Sequence, residues 1–399
     1  MIQIECKINE NGEEVTGYLV IDSTIDNSSA GGVRMSMDIT IEELSLLARN
    51  MTLKYGFLGI PQGGAKGGII YDPEASPEKR RLALSLFGKG VAPFLKNRMF
   101  IPGSDIGTDS DDIQWMIEAS GRGKSKRTLP SGRSSYYTGL TVFVSAERAA
   151  KHLGIEMKGA TVAIEGFGRV GSEAARFFAE KGAKVVAVST SKGAIYNENG
   201  LDVSCLIGEL AAKGSTFVSD YKEADRIPKA QLLTLDVDIL SPCAKYHSIN
   251  GTNMYEIKSK IISAGANVPV DNDAIEILHS RPILYLPDFV TNCGGVLGTY
   301  IEIAGLPLNR VSSLIPGLIG SKIDEIILNA KERGIPPITY AKEIAMERFH
   351  HLKGSAEGKG LFGIALRPSI IRAVRNFIPP FILGKMAKIY IQRYLDRQL

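Results

Sequence analysis

Several short stretches of the chain carry residue types that could do chemistry. Gly166-Phe167-Gly168-Arg169-Val170-Gly171 has the spacing G-x-G-x-x-G. In such a loop the first glycine permits a tight turn, the second lets the backbone approach a pyrophosphate, and the third lets a helix pack on a strand. The pattern is weak alone, but here it follows an apolar run of strand type and opens a helical pattern, the context it needs to bind a dinucleotide. Earlier in the chain, Gly31-Gly32-Val33 precedes Arg34, Lys54 follows Met51-Thr52-Leu53, and Lys66 sits in the glycine-rich stretch Pro61 to Gly68. Asp105 lies in Gly103-Ser104-Asp105-Ile106-Gly107-Thr108. Each of these has an ordinary reading: lone lysines are usually solvated, and an aspartate beside glycine usually marks a turn.

The elements that must hold these residues divide the chain. Lys7 to Ile21 reads as strand with a turn at Asn11-Gly12, and Ile41 to Tyr55 as a helix with Glu42 and Glu43 in its first turn and Lys54 at its end. Pro61 to Gly68 reads as a glycine-rich loop, followed by a strand at Ile69-Ile70-Tyr71. From Leu140 the pattern becomes helix, then strand at Thr161 to Ile164, glycine turn, helix at Gly171 to Lys181 and strand at Lys184 to Val188. Further short apolar strands fall at 237–240, 260–262 and 283–286. Strands alternating with helices predict an α/β chain with a doubly wound parallel sheet. The expected organisation is an N-terminal α/β domain over 1–135, a Rossmann-type dinucleotide-binding domain over 136–335, and C-terminal helices over 336–399 that pack back.

Composition narrows the classes. With 44% hydrophobic and 23% charged residues among 399, the chain can bury a large core. A net charge of +4 is too small to imply nucleic acid, no apolar run is long enough to span a bilayer, and the N-terminus lacks the signature of a signal peptide. The four cysteines form no C-x-x-C pair, and Cys243 with His247 lacks the further ligands a metal needs, so no metal is expected and a reducing cytoplasm fits best. Residues 353–399 hold nine basic and two acidic side chains, more excess positive charge than the whole chain's +4. Two readings stand for this segment: packing on the first domain or between subunits, or contact with an anionic membrane surface through its basic and aromatic residues.

Taken in order, Gly31-Gly32-Val33-Arg34, Met51 to Lys54, Pro61 to Gly68, Asp105 to Thr108, Thr138-Gly139, the Gly166 loop, Gly265-Ala266-Asn267 and Asn292-Cys293-Gly294-Gly295-Val296 resemble the Glu/Leu/Phe/Val dehydrogenase family over roughly residues 15–350. The resemblance implies reversible oxidative deamination of an L-amino acid to a 2-oxo acid and ammonia, with NAD or NADP, in a homo-oligomer. It implies that Lys54 binds the substrate α-carboxylate, that Lys66 is the catalytic lysine with Asp105 as its proton-transfer partner, and that Gly31 and Gly32 line the substrate cleft. Thr138 and Asn267 would lie at the cofactor, together with the loop residues Gly166, Gly168, Arg169, Val170 and Gly171, and Asn292 near substrate and nicotinamide. The chemistry suits these types. Burial and a neighbouring cation, expected here to be Lys54, depress a lysine's pKa, so that Lys66 can take a proton from water attacking an iminium.

Two specificities remain open at this level. Thr190 stands about 20 residues past the glycine loop, where an NAD site often carries an acidic residue for the ribose hydroxyls. Hydroxyls beside Lys192 could instead receive a 2′-phosphate, which leans toward NADP, unless Lys192 is an ordinary solvated turn residue. Glutamate enzymes of the family resemble one another in a lysine immediately before Gly-Gly-x-Arg and a serine seven residues after the motif asparagine; here these positions hold Ala30 and Thr299. A side-chain carboxylate without its cation is costly to bury, which favours an apolar substrate. The stretch Pro61 to Gly68, in contrast, resembles the glutamate branch, and a catalytically silent nucleotide-binding subunit is the alternative from another class.

Overall fold

A computed structural model of the 399-residue chain describes residues 1–10, 12–122, 133–303 and 308–357. The chain forms two compact units. Of the described residues, those up to 122 together with 344–357 make the first, and those between Arg133 and Glu343 make the second. The basic segment 353–399 lies almost wholly outside the described residues, and so does the membrane-surface contact expected of it.

The first unit is built on a five-stranded sheet. Strands β1 (Ile2–Glu10) and β2 (Glu13–Ile21) form a hairpin with Glu10 opposite Glu13 and Gly12 at φ +83°, the left-handed geometry a two-residue turn demands. Strands β3 (Ser29–Ser36), β4 (Gly63–Ile70) and β5 (Phe100–Ser104) complete the order β1-β2-β4-β3-β5, with β3 parallel to both its neighbours. Helix α1 (Ile41–Leu58) starts at Thr40, whose hydroxyl accepts from Glu43 N, and ends where Gly59 turns left-handed. It runs one turn beyond Lys54, so that residue lies inside the helix and is buried. Helices α2 (Pro77–Gly90), α3 (Ala92–Lys96) and α4 (Ser110–Ala119) follow, and Phe87, Leu84, Met116 and Phe100 form the centre of a core against Leu19, Met35 and Ile69.

The expected loop at Pro61 to Gly68 is instead mostly strand. Its glycines serve close approach rather than turning. A Cβ on Gly64 would overlap Thr52 N and Ala48 O of α1, and one on Gly68 would strike Leu44. Glycine on either side of Lys66 on that face lets α1 lie this near the sheet. The Ser23 hydroxyl, which accepts from Gly64 N at 3.1 Å, and Thr52, which donates to Asp22 at 2.6 Å, fasten the contact.

The second unit carries a seven-stranded sheet of order β12-β11-β10-β6-β7-β8-β9. Its parallel strands are β6 (Thr161–Glu165), β7 (Lys184–Thr190), β10 (Ile239–Pro242), β11 (Ile261–Ser263) and β12 (Leu284–Leu286). Strands β8 (Gly193–Tyr196) and β9 (Asp225–Ile227) add an antiparallel edge that the apolar pattern did not reveal, because each is short and β9 is largely exposed. Helix α5 (Ser134–His152) precedes the sheet and α6 (Arg169–Glu180) joins β6 to β7. Helices α7 (Val203–Lys213), α8 (Phe217–Asp220) and α9 (Lys229–Leu233) lie between β8 and β10, and α10 (Asn272–Ser280), α11 (Asp288–Thr291), α12 (Gly294–Ile303) and α13 (Leu308–Arg333) come later. The chain moves from β6 outward to β7, then returns to β10 on the other side of β6. That reversal opens a crevice at the carboxyl ends of β6 and β10, where such sheets bind ligands. Helix α14 (Pro337–Glu357) ends the described chain. From Ile344 it belongs to the first unit, where Ala345 and Phe349 press on Gly56 of α1 and Arg348 donates to Phe57 O. Among the described residues no helix is long and apolar enough to cross a membrane.

Candidate active site and dinucleotide loop

In the first unit, parallel pairing sets Gly32 of β3 opposite Gly103 of β5 and Val33 opposite Gly67 of β4. Lys66 and Asp105, 39 positions apart in sequence, thereby meet: Lys66 Nζ lies 2.6 Å from Asp105 Oδ2. Lys66 is only 3% exposed, and the Asp105 side chain 15%. The loop bearing Asp105 is tied to β3 at two points and braced once within itself. Thr108 Oγ1 donates to Val33 O at 2.7 Å, Asp105 N donates to Thr108 Oγ1 at 3.0 Å, and Met35 N donates to Ile106 O at 3.0 Å. Gly107, at φ +76°, passes so close to Met35 O that no Cβ fits. Arg80 of α2 closes the far side by pairing with the buried Asp112, which accepts from Asp109 N at the start of α4.

Gly31 and Gly32 are explained by the same crowding. A Cβ on Gly31 would overlap Ala65 O, and one on Gly32 would come 2.8 Å from Asp105 Cβ. The pair makes room for the strand bearing Lys66 and for the carboxylate it meets.

The cation beside this pair is Arg34, where the sequence suggested Lys54. Arg34 Nε lies 3.4 Å from Asp105 Oδ2, and its Nη1 pairs with Glu43 Oε1. Arg34, Glu43 and Lys66 are all buried. Burial drives the Lys66 amine's pKa below that of an ordinary lysine; Asp105 opposes this and Arg34 adds to it. Burial alone would raise Asp105, but Lys66 and Arg34 outweigh it and hold the carboxyl at about 2. Glu43 was visible in the sequence only as a first-turn acid of α1. Such residues are ordinarily solvated beside the helix dipole, so nothing in the pattern signalled a buried ion pair.

In the second unit the Gly166 loop has the geometry a dinucleotide site requires. Gly166 adopts φ +89°, and a Cβ there would sit 2.8 Å from Ala244. A Cβ on Gly171 would overlap Gly166 O. Gly168 differs from both. Its backbone is extended, none of the described residues lies within 4 Å of the place its Cβ would occupy, and it caps α6 without a side-chain hydrogen bond. Packing among the described residues gives no reason for glycine at 168, whereas an approaching pyrophosphate would, and the N-terminal amides of α6 point where an anion is favoured. Arg169 is exposed and Val170 half-buried beside Gly265.

A second feature fits a bound group. Asn292 Nδ2 donates to Ala266 O and to Asn267 Oδ1, both at 3.0 Å, leaving its buried Oδ1 without a hydrogen-bond partner among the described residues. A buried acceptor of this kind is satisfied by a donor from outside the chain, such as a carboxamide. Thr138 lies on α5 where Gly294 and Gly295 of α12 pack against it, its hydroxyl bonded to Ser134 O at 2.8 Å. Thr299 lies on α12, half-buried. Thr190 does not present a free hydroxyl. It donates to Ser215 O at 2.7 Å and accepts from Lys192 N at 3.1 Å, so the groups left at the end of β7 are the exposed Lys192 and Lys229, whose Nζ donates to Ser191 O at 3.3 Å.

Comparison with known proteins adds to this geometry. Residues 1–121 match the family profile described as Glu/Leu/Phe/Val dehydrogenase, dimerisation domain, and residues 131–351 match that of Glutamate/Leucine/Phenylalanine/Valine dehydrogenase. The glutamate dehydrogenase of Thermotoga maritima is 36% identical over 317 residues, 76% of this chain and 76% of that protein. The NADP-specific glutamate dehydrogenase of Saccharolobus shibatae is 36% identical over 284 residues, 68% of this chain and 67% of that one. The NAD-specific enzyme of Staphylococcus aureus is 33% identical over 318 residues, 76% of each chain. In fold, the chain is similar to the hetero-hexameric glutamate dehydrogenase of Thermus thermophilus in its Leu-bound form, with a TM-score of 0.74, 24% identity and 88% of each chain covered.

Proposed function

From the premise that this chain belongs to the Glu/Leu/Phe/Val dehydrogenase family, we propose that Lys66 and Asp105 are the acid–base pair with which it deaminates an L-amino acid of apolar side chain. The chain is an oxidoreductase acting on a CH–NH2 donor with a nicotinamide nucleotide as acceptor. The reading of the site rests on one observation: a buried amine and a carboxylate 2.6 Å apart, with the amine's proton affinity lowered by its surroundings.

When bound, the nicotinamide supplies the hydride acceptor. The residues of the chain manage charge and protons. Lys54 binds the substrate carboxylate. Asp105 receives a proton from the substrate ammonium, more readily once Lys66 is neutral and one of its two cations is gone. After the α-carbon loses hydride, water adds to the resulting iminium, and neutral Lys66 takes the proton that water releases. Collapse of the carbinolamine expels ammonia and leaves the 2-oxo acid. The net change consumes amino acid, water and oxidised cofactor, and yields oxo acid, ammonium, reduced cofactor and one proton. Gly166, Gly168 and Gly171 with Arg169 and Val170 would cradle the pyrophosphate, and Asn292, with Asn267 and Thr138 beside it, would meet the nicotinamide end.

This assignment fixes a pH dependence. Asp105, at about 2, is ionised throughout, so the acid limb of kcat/KM reports Lys66 and rises with pH as its amine loses a proton. The midpoint falls below an ordinary lysine's roughly 10.4. A profile flat across pH 6 to 10 would remove Lys66 from that role.

Ala30, 8% exposed in β3, provides no cation for a substrate carboxylate, and this favours an apolar side chain. The relatives' names favour glutamate as the second reading. A panel of L-amino acids separates them: leucine, valine or phenylalanine is expected to exceed glutamate at least tenfold in kcat/KM, and the reverse order would establish the second reading. For the cofactor, Lys192 and Lys229 at the end of β7 favour NADP. Lys192→Ala is expected to raise the KM for NADP about tenfold and leave that for NAD unchanged, and equal effects on both would exclude a 2′-phosphate contact. The N-terminal match to a dimerisation domain supports a homo-oligomer.

A further inference from the structure

Arg34 and Glu43 contribute no group to any role assigned above, yet they are buried at the centre of the first unit. Ion pairs in such positions are expensive: each charge leaves water, and an apolar pair of similar volume usually serves stability as well or better. Their arrangement is specific. Arg34 extends from β3 so that one face of its guanidinium, Nη1, is held by Glu43 of α1, and the other, Nε, lies 3.4 Å from Asp105 Oδ2. Asp105 Oδ2 is the same oxygen that Lys66 approaches at 2.6 Å. Asp105 therefore lies between two cations, one of which can lose its proton and one of which cannot.

Resting on the reading of Lys66 as proton acceptor, we infer that Arg34, anchored by Glu43, is a positioning residue that supplies a permanent counter-charge, allowing Asp105 to stay ionised and in place while Lys66 is neutral. Without it, a neutral Lys66 would leave Asp105 buried with no cation, and the lysine would hold its proton to keep the pair intact. Glu43 fixes the guanidinium at the distance where it acts on Lys66 as well as on Asp105. The charged groups that bear on the cluster are Arg34 from β3, Glu43 from α1, Asp105 after β5, and Asp38 ahead of α1 acting on Glu43. Lys54 is a further buried cation on α1.

The two halves of the pair act on Lys66 with opposite signs, Arg34 disfavouring its protonated form and Glu43 favouring it. If Lys66 is the group whose proton loss sets the limb, removing the one charge and removing the other move the limb in opposite directions. The test is the pH profile of kcat/KM for the intact enzyme and three variants, with thermal melting to confirm that each is folded. Arg34→Met is expected to move the acid limb up by about one unit, a roughly tenfold loss of activity at a fixed pH below the limb. Glu43→Gln is expected to move it down by less. Arg34→Lys keeps the cation, so the limb stays near its original pH while kcat falls because the fork geometry is lost. If burying either lone partner prevents folding, the double variant Arg34→Met/Glu43→Gln removes both charges, and its limb is expected between those of the single variants and above that of the intact enzyme. Limbs that stay fixed, or that move the same way in Arg34→Met and Glu43→Gln, would overturn the inference. Failure of the underlying reading looks different: the unmodified enzyme itself would then turn over no amino acid or show no acid limb.

Discussion

Replacing Lys66 with alanine is expected to lower kcat about 10³- to 10⁴-fold without unfolding the protein. The size follows from removing a general base at its point of contact, which typically costs 10²- to 10⁴-fold, here with the electrostatic partner of Asp105 lost as well. The survival of the fold follows from Arg34. Breaking a buried ion pair usually costs several kcal/mol because one charge is stranded, but Asp105 keeps the guanidinium 3.4 Å away when Lys66 is gone. Asp105→Asn is the complementary case. It leaves Lys66 beside Arg34 with no adjacent carboxylate, so the amine loses its proton at still lower pH and proton exchange with the substrate amino group is lost. A fall of about 10²- to 10³-fold is expected. Purified variants assayed at saturating amino acid and cofactor, with melting temperatures beside the rates, decide the matter. Near-normal turnover in either variant would refute the assignment, and an inactive but unfolded variant would be replaced by Lys66→Met, which conserves volume.

Gly32→Ala is expected to lower kcat about 100-fold, although it removes no functional group. The added Cβ would stand 2.8 Å from Asp105 Cβ, closer than real Cβ atoms sit, and a tight 3.1 Å from Ser104 O, so the side chain of Asp105 must move. Two hydrogen bonds to β3 and one within the loop hold it, which makes the displacement one of geometry rather than of unfolding. A misplacement of about an ångström at a reacting group can cost that much. Gly103 supplies the control. It lies opposite Gly32 in the parallel pairing, but a Cβ there meets none of the described residues within 4 Å, so Gly103→Ala is expected to keep kcat within about twofold. Equal kcat values for the two alanine variants would show that Asp105 does not depend on the bare strand beneath it.

The parts of the fold legible from sequence were those set by local rules. The glycine loop after Thr161–Glu165, the helix it opens, and the parallel strands at Lys184, Ile239, Ile261 and Leu284 follow from apolar runs and glycine spacing, and they occur within a few residues of the expected bounds. Other features could not be read. Gly63–Ile70 is a strand that composition disguised as a loop, because its glycines answer the pressure of Thr52, Ala48 and Leu44 from elsewhere in the chain. The Thr190 hydroxyl is occupied by Ser215 O, a partner 25 positions away. A position near a site in sequence does not tell which neighbour its hydrogen bond will find.

The sequence by itself carried the order of the elements, through apolar runs and glycine spacing, and a motif-by-motif resemblance to the family, which implied the reaction class and pointed to Lys66 and Asp105 as the amine and carboxylate to look for. Tertiary structure alone decided that Arg34, and through it Glu43, is the charge partner of that pair. Electrostatic influence depends on distance and burial, and parallel pairing of β3 with β4 and β5, with α1 pressed on their glycines, brings together groups separated by up to 71 positions along the chain.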